Sequence, residues 1–162
     1  MNEKKILIAA GILAAVFIML LVNALYITHQ RFESPEEKNI VCKTLQYNGE
    51  NKIDLVFFGS EEVTKSYSDF LFGFSPFDNN KDKFNVFYID NDKPDCEIYK
   101  SIATLCDQSQ TIRKSSMCPN DYVVVVDSTK DNEIRSSALR NIISLNDKHP
   151  KAVLLHEQGH VI

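Results

Sequence analysis

The sequence of 162 residues contains no cluster of basic residues, no Cys-x-x-Cys pair and no Asn-x-Ser/Thr sequon. Its 18 Lys and Arg residues are scattered through a chain of net charge −4, so it lacks the positive stripe that follows a nucleic-acid backbone. Nucleic acid is therefore not an expected partner. Without a Cys-x-x-Cys pair, the four cysteines do not have the spacing of a cysteine zinc site. The missing sequon leaves no signal for N-glycosylation.

Charged residues are also missing from the 22-residue stretch Ile6 to Ile27. About 20 apolar residues in an α-helix cross the hydrocarbon core of a bilayer, so this stretch is a predicted transmembrane helix and the lipid bilayer is an expected partner. Lys4 and Lys5 precede it, and the positive-inside rule places them in the cytoplasm. The predicted order is a cytoplasmic stub (1–5), a signal anchor (6–27), a tether (28–41) and an extracytoplasmic domain (42–162).

A cleavable signal peptide is the alternative to an anchor, and it would leave a secreted protein. Val22-Asn23-Ala24 has the small residues of a cleavage site, which places the cut near Ala24. The apolar stretch is longer than the roughly 7–15 residues usual in a signal peptide, which favours the anchor.

All four cysteines, Cys42, Cys96, Cys106 and Cys118, lie in the predicted extracytoplasmic domain. An even number of cysteines outside the cytoplasm indicates two disulfides, for which there are three pairings. A Cys96–Cys106 or a Cys106–Cys118 bridge would hold together the polar region Asp90–Asn120, which lacks an apolar pattern. Buried free thiols are the alternative.

Three apolar segments of this domain are predicted strands, namely Ile53–Phe58, Phe84–Ile89 and Tyr122–Asp127. Their almost continuous apolar character is typical of strands that are covered on both faces. After the first of them, Ser60 is an expected helix N-cap, and apolar side chains recur at helical spacing in the residues that follow. Strands that alternate with helices indicate an α/β sandwich.

Three further segments have less regular patterns. A helix is predicted around Ile98–Cys106. Residues Asn141–Leu145 either extend a helix that begins near Asn132 or form a short edge strand. Pro150 suits the first turn of a helix, because its missing N–H is not needed there, so a last helix is predicted from Pro150 to the end.

That last predicted helix carries the run His156-Glu157-Gln158-Gly159-His160. Residues four apart lie on one face of a helix, so His156 and His160 can present both imidazoles to one Zn²⁺ ion. Glu157 is then placed as the general base that accepts a proton from a zinc-activated water during hydrolysis of a peptide bond. In the alternative interpretation, these residues are the solvated polar face of a surface helix.

The order of these features resembles that of the IgA-peptidase-like zinc metallopeptidases, a metzincin-type zincin family. The resemblance runs from about Cys42 to Ile162, and its most specific part is the HExxH motif. It implies an α/β domain of zincin type, a three-layer sandwich with a mixed sheet, with Zn²⁺ as cofactor and a peptide or protein as substrate. It also implies metal ligation by His156 and His160 and general-base catalysis by Glu157.

The resemblance further implies an edge strand before the active-site helix, where a substrate peptide adds as an extra strand. That strand is expected at Asn141, Ile142, Ile143, Ser144 and Leu145. Members of the family continue past the motif to a third protein ligand, whereas this sequence ends two residues after His160. The chain is therefore expected to be an inactive, or at best weakly zinc-binding, part of an anchored zinc endopeptidase. The alternative is a membrane-tethered α/β binding module, or a pseudoenzyme, without hydrolytic activity.

Overall fold

The structure, a computed structural model, describes residue 13 and residues 15–26 and 39–161. The chain divides into two compact units, Met1–Glu37 and Lys38–Ile162. The predicted cytoplasmic stub and most of the predicted tether lie outside the described residues. The second unit begins a few residues before the predicted start of the domain, because Asn39 O accepts a hydrogen bond from Asn91 Nδ2 (2.7 Å) and Ile40 packs against the core.

In the first unit, residues 15–26 form helix α1, whose side chains are exposed and mostly apolar. Among the described residues, no helix is both long and apolar enough to cross a membrane. Residues 6–12, 14 and 27 of the predicted transmembrane helix lie outside the described part of the chain. The span over residues 6–27 therefore stays a prediction.

The second unit is built on a mixed six-stranded sheet and a smaller two-stranded sheet. In chain order the strands are β1 (Lys43–Gln46), β2 (Ile53–Phe58), β3 (Phe84–Ile89), β4 (Cys96–Tyr99), β5 (Ala103–Cys106), β6 (Tyr122–Asp127), β7 (Ser137–Leu139) and β8 (Ile142–Asn146). The large sheet has the order β1-β3-β2-β6-β8-β7, in which β3, β2, β6 and β8 are parallel. The outer strands β1 and β7 are antiparallel to their neighbours, and β4 pairs with β5. The prediction of an α/β fold with a mixed sheet is confirmed.

The three predicted strands are β2, β3 and β6, and each has the predicted bounds. They are neighbours in the middle of the sheet, where every residue of β3 and most residues of β2 and β6 are buried. A strand buried on both faces has apolar side chains in both directions. This is why the apolar runs locate these strands accurately.

Helices cover one face of the sheet. They are α2 (Glu61–Leu71) and α4 (Ala152–Gln158), and a 3₁₀-helix (Asp78–Lys83) leads into β3. The start of α2 is as predicted, since Ser60 Oγ accepts a hydrogen bond from Val63 N. We call this side of the sheet the helix face. On it, Tyr67 and Leu71 of α2 and Leu154 of α4 pack with sheet side chains in one buried cluster.

The opposite face, which we call the disulfide face, is covered by the β4–β5 hairpin and its cysteines. Cys42 bonds to Cys118 and Cys96 bonds to Cys106, and all four pack with the sheet in a second buried cluster. Helix α3 (Gln108–Ser115) follows the hairpin. The prediction of two disulfides is confirmed, and Cys96–Cys106 is one of the two bridges expected for the polar region. The Cys106–Cys118 bridge does not form, and the free-thiol alternative is wrong.

The helix predicted around Ile98–Cys106 is wrong, because these residues form most of the β4–β5 hairpin. Cys96 and Cys106 lie directly opposite each other in its register. Ile102 N donates to Tyr99 O (3.0 Å), and Lys100 and Ser101 between them have left-handed φ angles of 48° and 59°, as both central residues of a type I′ turn do. The apolar residues of this segment therefore follow strand pairing and not a helical period.

The prediction of a strand at Asn141–Leu145 is confirmed for Ile142–Leu145, which belong to β8, and the helix alternative is wrong. The predicted edge position is also wrong, because β8 lies between β6 and β7 and has every residue buried. Asn141 is exposed in the turn before β8. Arg140 has a φ of 58° in the tight turn before β8, and this turn reverses the chain so that β7 pairs outside β8. The edge strand before the last helix is therefore β7, Ser137–Leu139.

Candidate metal centre on helix α4

Helix α4 is anchored on its apolar side. Pro150 O accepts a hydrogen bond from Val153 N (3.0 Å) in the turn that begins the helix, as expected from the sequence. Leu154 has no exposed surface and packs in the cluster of the helix face. Lys151 Nζ donates a hydrogen bond to Ser66 Oγ on α2. These contacts fix the rotation of α4, so that its opposite side remains open to solvent.

The two histidines of the motif meet on that open side. His156 Nε2 and His160 Nε2 are 3.2 Å apart, with the rings nearly perpendicular at 88°. Two imidazole nitrogens that bind one tetrahedral zinc at about 2.05 Å are separated by about 3.3 Å. The pair therefore has the spacing of two neighbouring zinc ligands. The same distance also suits a hydrogen bond in which one neutral imidazole donates to the other.

His160 lies in a tightened turn just after the regular helix. The bonds His160 N–Glu157 O (3.0 Å) and Val161 N–Gln158 O (3.2 Å) connect residues three apart, as in a 3₁₀-helix. A Cβ on Gly159 would lie 3.3 Å from His156 O, closer than most such contacts. A glycine at this position therefore lets the turn tighten without a backbone clash.

Glu157 and Gln158 turn away from solvent, with exposed fractions of 8% and 1%. Neither the Oε1 nor the Nε2 atom of Gln158 has a hydrogen-bond partner in the part of the chain that the structure describes. Gln158 follows Leu154 by one helical turn and so occupies the side of α4 that packs on the sheet. An unpaired buried amide costs about 1–3 kcal/mol. This burial could not be predicted from the motif, which leaves position 158 open to any residue.

The described residues contain no group of three or more His, Cys, Asp or Glu side chains that could hold a metal ion. His149, the histidine nearest to the motif in the sequence, bonds to Asn132 O through Nε2 (2.7 Å) in the loop before α4. A catalytic zinc usually has three protein ligands and a water. His156 and His160 fit two of these positions, and the third ligand has no candidate in the described part.

The edge strand β7 offers the outward-facing backbone groups that were predicted for Asn141–Leu145. Asn141 O accepts a hydrogen bond from Val123 N (2.9 Å), so Asn141 faces β6. Because neighbouring residues of a strand face opposite sides, Ile142 and Ser144 face β7, where they are paired with Leu139 and Ser137. Ala138 lies between Ser137 and Leu139 in β7, so its backbone N–H and C=O point away from β8.

The short strand β7 carries little sequence signal. Ser137-Ala138-Leu139 has one exposed large apolar side chain, and the turn Arg140-Asn141 lacks the glycine typical of two-residue hairpins. In the structure, the left-handed φ of Arg140 and the pairing of Leu139 with Ile142 reveal the turn. The strand could not have been located from an apolar pattern.

Comparison of the sequence with models of known protein families, and with curated proteins, found no match. A functional assignment therefore depends on the geometry of His156, His160 and Glu157.

Proposed function

We propose that this chain carries two zinc ligands and the general base of a membrane-anchored, extracytoplasmic zinc endopeptidase with a zincin-like three-layer domain. The observation that supports the proposal most is the 3.2 Å separation of His156 Nε2 and His160 Nε2 on the open side of α4. The third ligand comes from outside the described residues. The cofactor is Zn²⁺ and the substrate is a peptide or protein.

Each chemical role falls on a named group. Zinc, when bound, supplies a Lewis acid that brings the pKa of a water molecule near neutrality. Glu157, which directly follows the first ligand, would accept a proton from that water and would pass it to the leaving amine when the C–N bond of the substrate breaks. The carboxylate thus acts first as base and then as acid.

The edge of the sheet gives the substrate a place to lie. An extended peptide can add as a strand to an open sheet edge, using main-chain hydrogen bonds. The N–H and C=O of Ala138 on β7 are available for this pairing, whereas β8 already has a neighbour on each side. Residues Asn141–Leu145 are therefore removed from the proposed substrate site, and β7 replaces them.

The second candidate is a membrane-tethered binding module or pseudoenzyme. It is favoured by one observation, namely that no third ligand accompanies the histidine pair among the residues described. In this case the contact between His156 and His160 is a hydrogen bond on a solvated helix, and α4 has only a structural role.

Zinc content of the whole chain and its variants separates these functions. We expect His156→Ala and His160→Ala each to lose bound zinc, whereas Glu157→Gln retains it. His149→Ala is the matched control, because this histidine bonds to Asn132 and lies off the pair. In any preparation that hydrolyses peptides, Glu157→Gln should lower the rate by about 10²–10⁴-fold, the usual contribution of a general base.

Each part of the proposal can be contradicted by a different result. Unchanged zinc content in both histidine variants would exclude the metal centre. Full hydrolytic activity of Glu157→Gln would exclude the mechanism while leaving the zinc site intact. Zinc binding without hydrolysis of any peptide, even with a complete ligand set, would favour the pseudoenzyme.

A further inference from the structure

The β4–β5 hairpin occupies one end of the same sheet edge. Arg135 N donates to Ile102 O (2.9 Å), and Thr104 N donates to Arg135 O (2.8 Å). Ser137 Oγ also donates to Thr104 O. The hairpin therefore pairs with the residues that lead into β7, and it stops before Ala138.

A single covalent link holds this hairpin together. Cys96 and Cys106 lie directly opposite each other at its base and form a disulfide. Strand β4 is otherwise held by its pairing with β5 and by Lys130 Nζ, which donates to Cys96 O (3.1 Å). All its residues after Cys96 are exposed. Asp95, the residue before β4, accepts a hydrogen bond from Asp107 N (2.8 Å) and bonds to the side chain of Gln110 on α3. A two-stranded hairpin is by itself marginally stable in water, so the disulfide adds a covalent restraint to these hydrogen bonds.

Two cavities border this disulfide. One of about 440 Å³ is lined by Cys96 and Cys106, and a second of about 310 Å³ is lined by Cys96. The other disulfide borders neither of these two cavities, although each bridge joins a half-buried cysteine (Cys96 or Cys42) to a buried one (Cys106 or Cys118). The cavities, and not the burial of the cysteines, therefore favour attack by a small thiol on Cys96.

We propose that the Cys96–Cys106 disulfide is a redox-sensitive clasp that sets how much of the β7 edge is free to pair with a peptide. While it is closed, the hairpin occupies the backbone of Arg135. When it opens, β4 separates from β5, the pairing of Ile102 and Thr104 with Arg135 weakens, and the free edge grows from Ala138 back to Arg135. The clasp itself rests only on the disulfide and the hairpin. Its effect on a substrate rests on the proposed function.

The opening step is a thiol–disulfide exchange with a dithiol reductant. A thiolate of the reductant attacks Cys96 Sγ, and Cys106 leaves as a thiolate that takes up a proton. The second thiol of the reductant then closes its own disulfide and releases Cys96 as a thiol. Two electrons and two protons pass from the reductant to the protein, and the reductant ends as a disulfide.

The test is graded reduction of the full chain with dithiothreitol, followed by alkylation, mass mapping of the four cysteines and amide hydrogen exchange. We expect Cys96 and Cys106 to be alkylated at reductant concentrations that leave Cys42–Cys118 intact. At that point the amide of Arg135 should exchange at least tenfold faster, while amides of β2 stay unchanged. Oxidised Cys96→Ser/Cys106→Ser should show the same fast exchange, and Cys42→Ser/Cys118→Ser is the matched control that should not.

Two results would overturn the clasp. One is reduction of both disulfides together at every reductant concentration. The other is unchanged exchange at Arg135 after Cys96–Cys106 has opened. If a serine variant does not fold, cysteine alkylation and amide hydrogen exchange on the chain without substitutions still test the clasp. Neither measurement uses zinc or hydrolysis, so failure of the clasp is distinct from failure of the peptidase proposal.

Discussion

The two faces of the central sheet are stabilised in different ways. On the helix face, the side chains of two regular helices pack with the sheet in the larger of the two buried clusters. On the disulfide face, the covering element is a hairpin of two four-residue strands, in which Ile98 and Tyr99 are exposed. Crosslinks and polar contacts there supplement a smaller buried cluster. The comparison shows that one sheet can combine both means of stabilisation.

The polar contacts of the disulfide face are concentrated at two buried groups. Lys114 Nζ donates to Asp92 Oδ1 (2.9 Å) and to Lys93 O (2.6 Å). Asp127 accepts hydrogen bonds from Thr129 and from Thr104 of β5. These bonds join α3 to the loop that follows β3, and the hairpin to the end of β6. The helix face has no equivalent need, because its helices present apolar side chains at a regular spacing.

The largest effect should come from breaking the long-range crosslink. The Cys42–Cys118 bridge closes a loop with a sequence separation of 76, so its loss should lower the free energy of unfolding by about 4.5 kcal/mol by loop entropy. The separation of 10 at Cys96–Cys106 gives about 2.7 kcal/mol. Urea denaturation of the two double-serine variants measures both values. Equal losses would show that loop entropy does not explain the stability of the disulfide face.

On the helix face, Leu154→Ala should lower the free energy of unfolding by about 3 kcal/mol, because it leaves a cavity at a fully buried position. Leu139→Ala is the control, since Leu139 is 43% exposed and its change should stay within about 0.5 kcal/mol. Thermal and urea unfolding measure the change in unfolding free energy of both variants. Similar values for the two variants would mean that α4 does not pack firmly on the sheet.

Asp127 should give the disulfide face its own acid sensitivity. Burial raises the pKa of its carboxyl, but hydrogen bonds from Thr129 and the charge of Lys130 outweigh burial, so the pKa lies below its ordinary value of 3.8. Such a group stabilises the fold above the unfolded pKa, and the contribution disappears as the pH falls through the folded pKa. Asp127→Asn should cost about 2 kcal/mol at neutral pH. The difference from the unchanged chain should shrink only below about pH 4.

Urea denaturation at a series of pH values measures the difference in unfolding free energy between Asp127→Asn and the unchanged chain. If this difference were undiminished at pH 2, an ionic role for Asp127 would be contradicted. Lys130→Met is a useful companion variant. It removes the ammonium 3.5 Å from Asp127 Oδ2 while leaving the hydrogen bonds from Thr129 in place.

The smallest effects should be the same on the two faces. Ser60 caps α2 by accepting from Val63 N, and Asp107 caps α3 by accepting from Gln110 N (2.8 Å). Each alanine substitution should cost about 1 kcal/mol of unfolding free energy, because a helix N–H loses its partner. Chemical denaturation measures both. A cost at Asp107 several times that at Ser60 would indicate that α3 supports the disulfide face more than its size suggests.

The sequence predicted those parts whose side-chain pattern is set locally. Strands β2, β3 and β6 are buried on both faces, and the histidine pair follows from the four-residue spacing of a helix. The hairpin and β7 depend instead on which strands pair, and a pattern of apolar residues does not specify this. Gln158 was missed for a related reason, since its burial results from the rotation of α4 against the sheet. The pairing of the cysteines likewise required the three-dimensional register of β4 and β5.

The placement of the two crosslinks also bears on how the chain acquires them during synthesis. Cys96 and Cys106 are separated by one short hairpin, so they can join as soon as residue 106 has emerged. Cys42 waits for Cys118, and until then it can be oxidised with either of the earlier partners. Early closure of the hairpin removes both competitors. The local bond would thus direct the distant one to its correct partner before β8 and the histidine helix have been made.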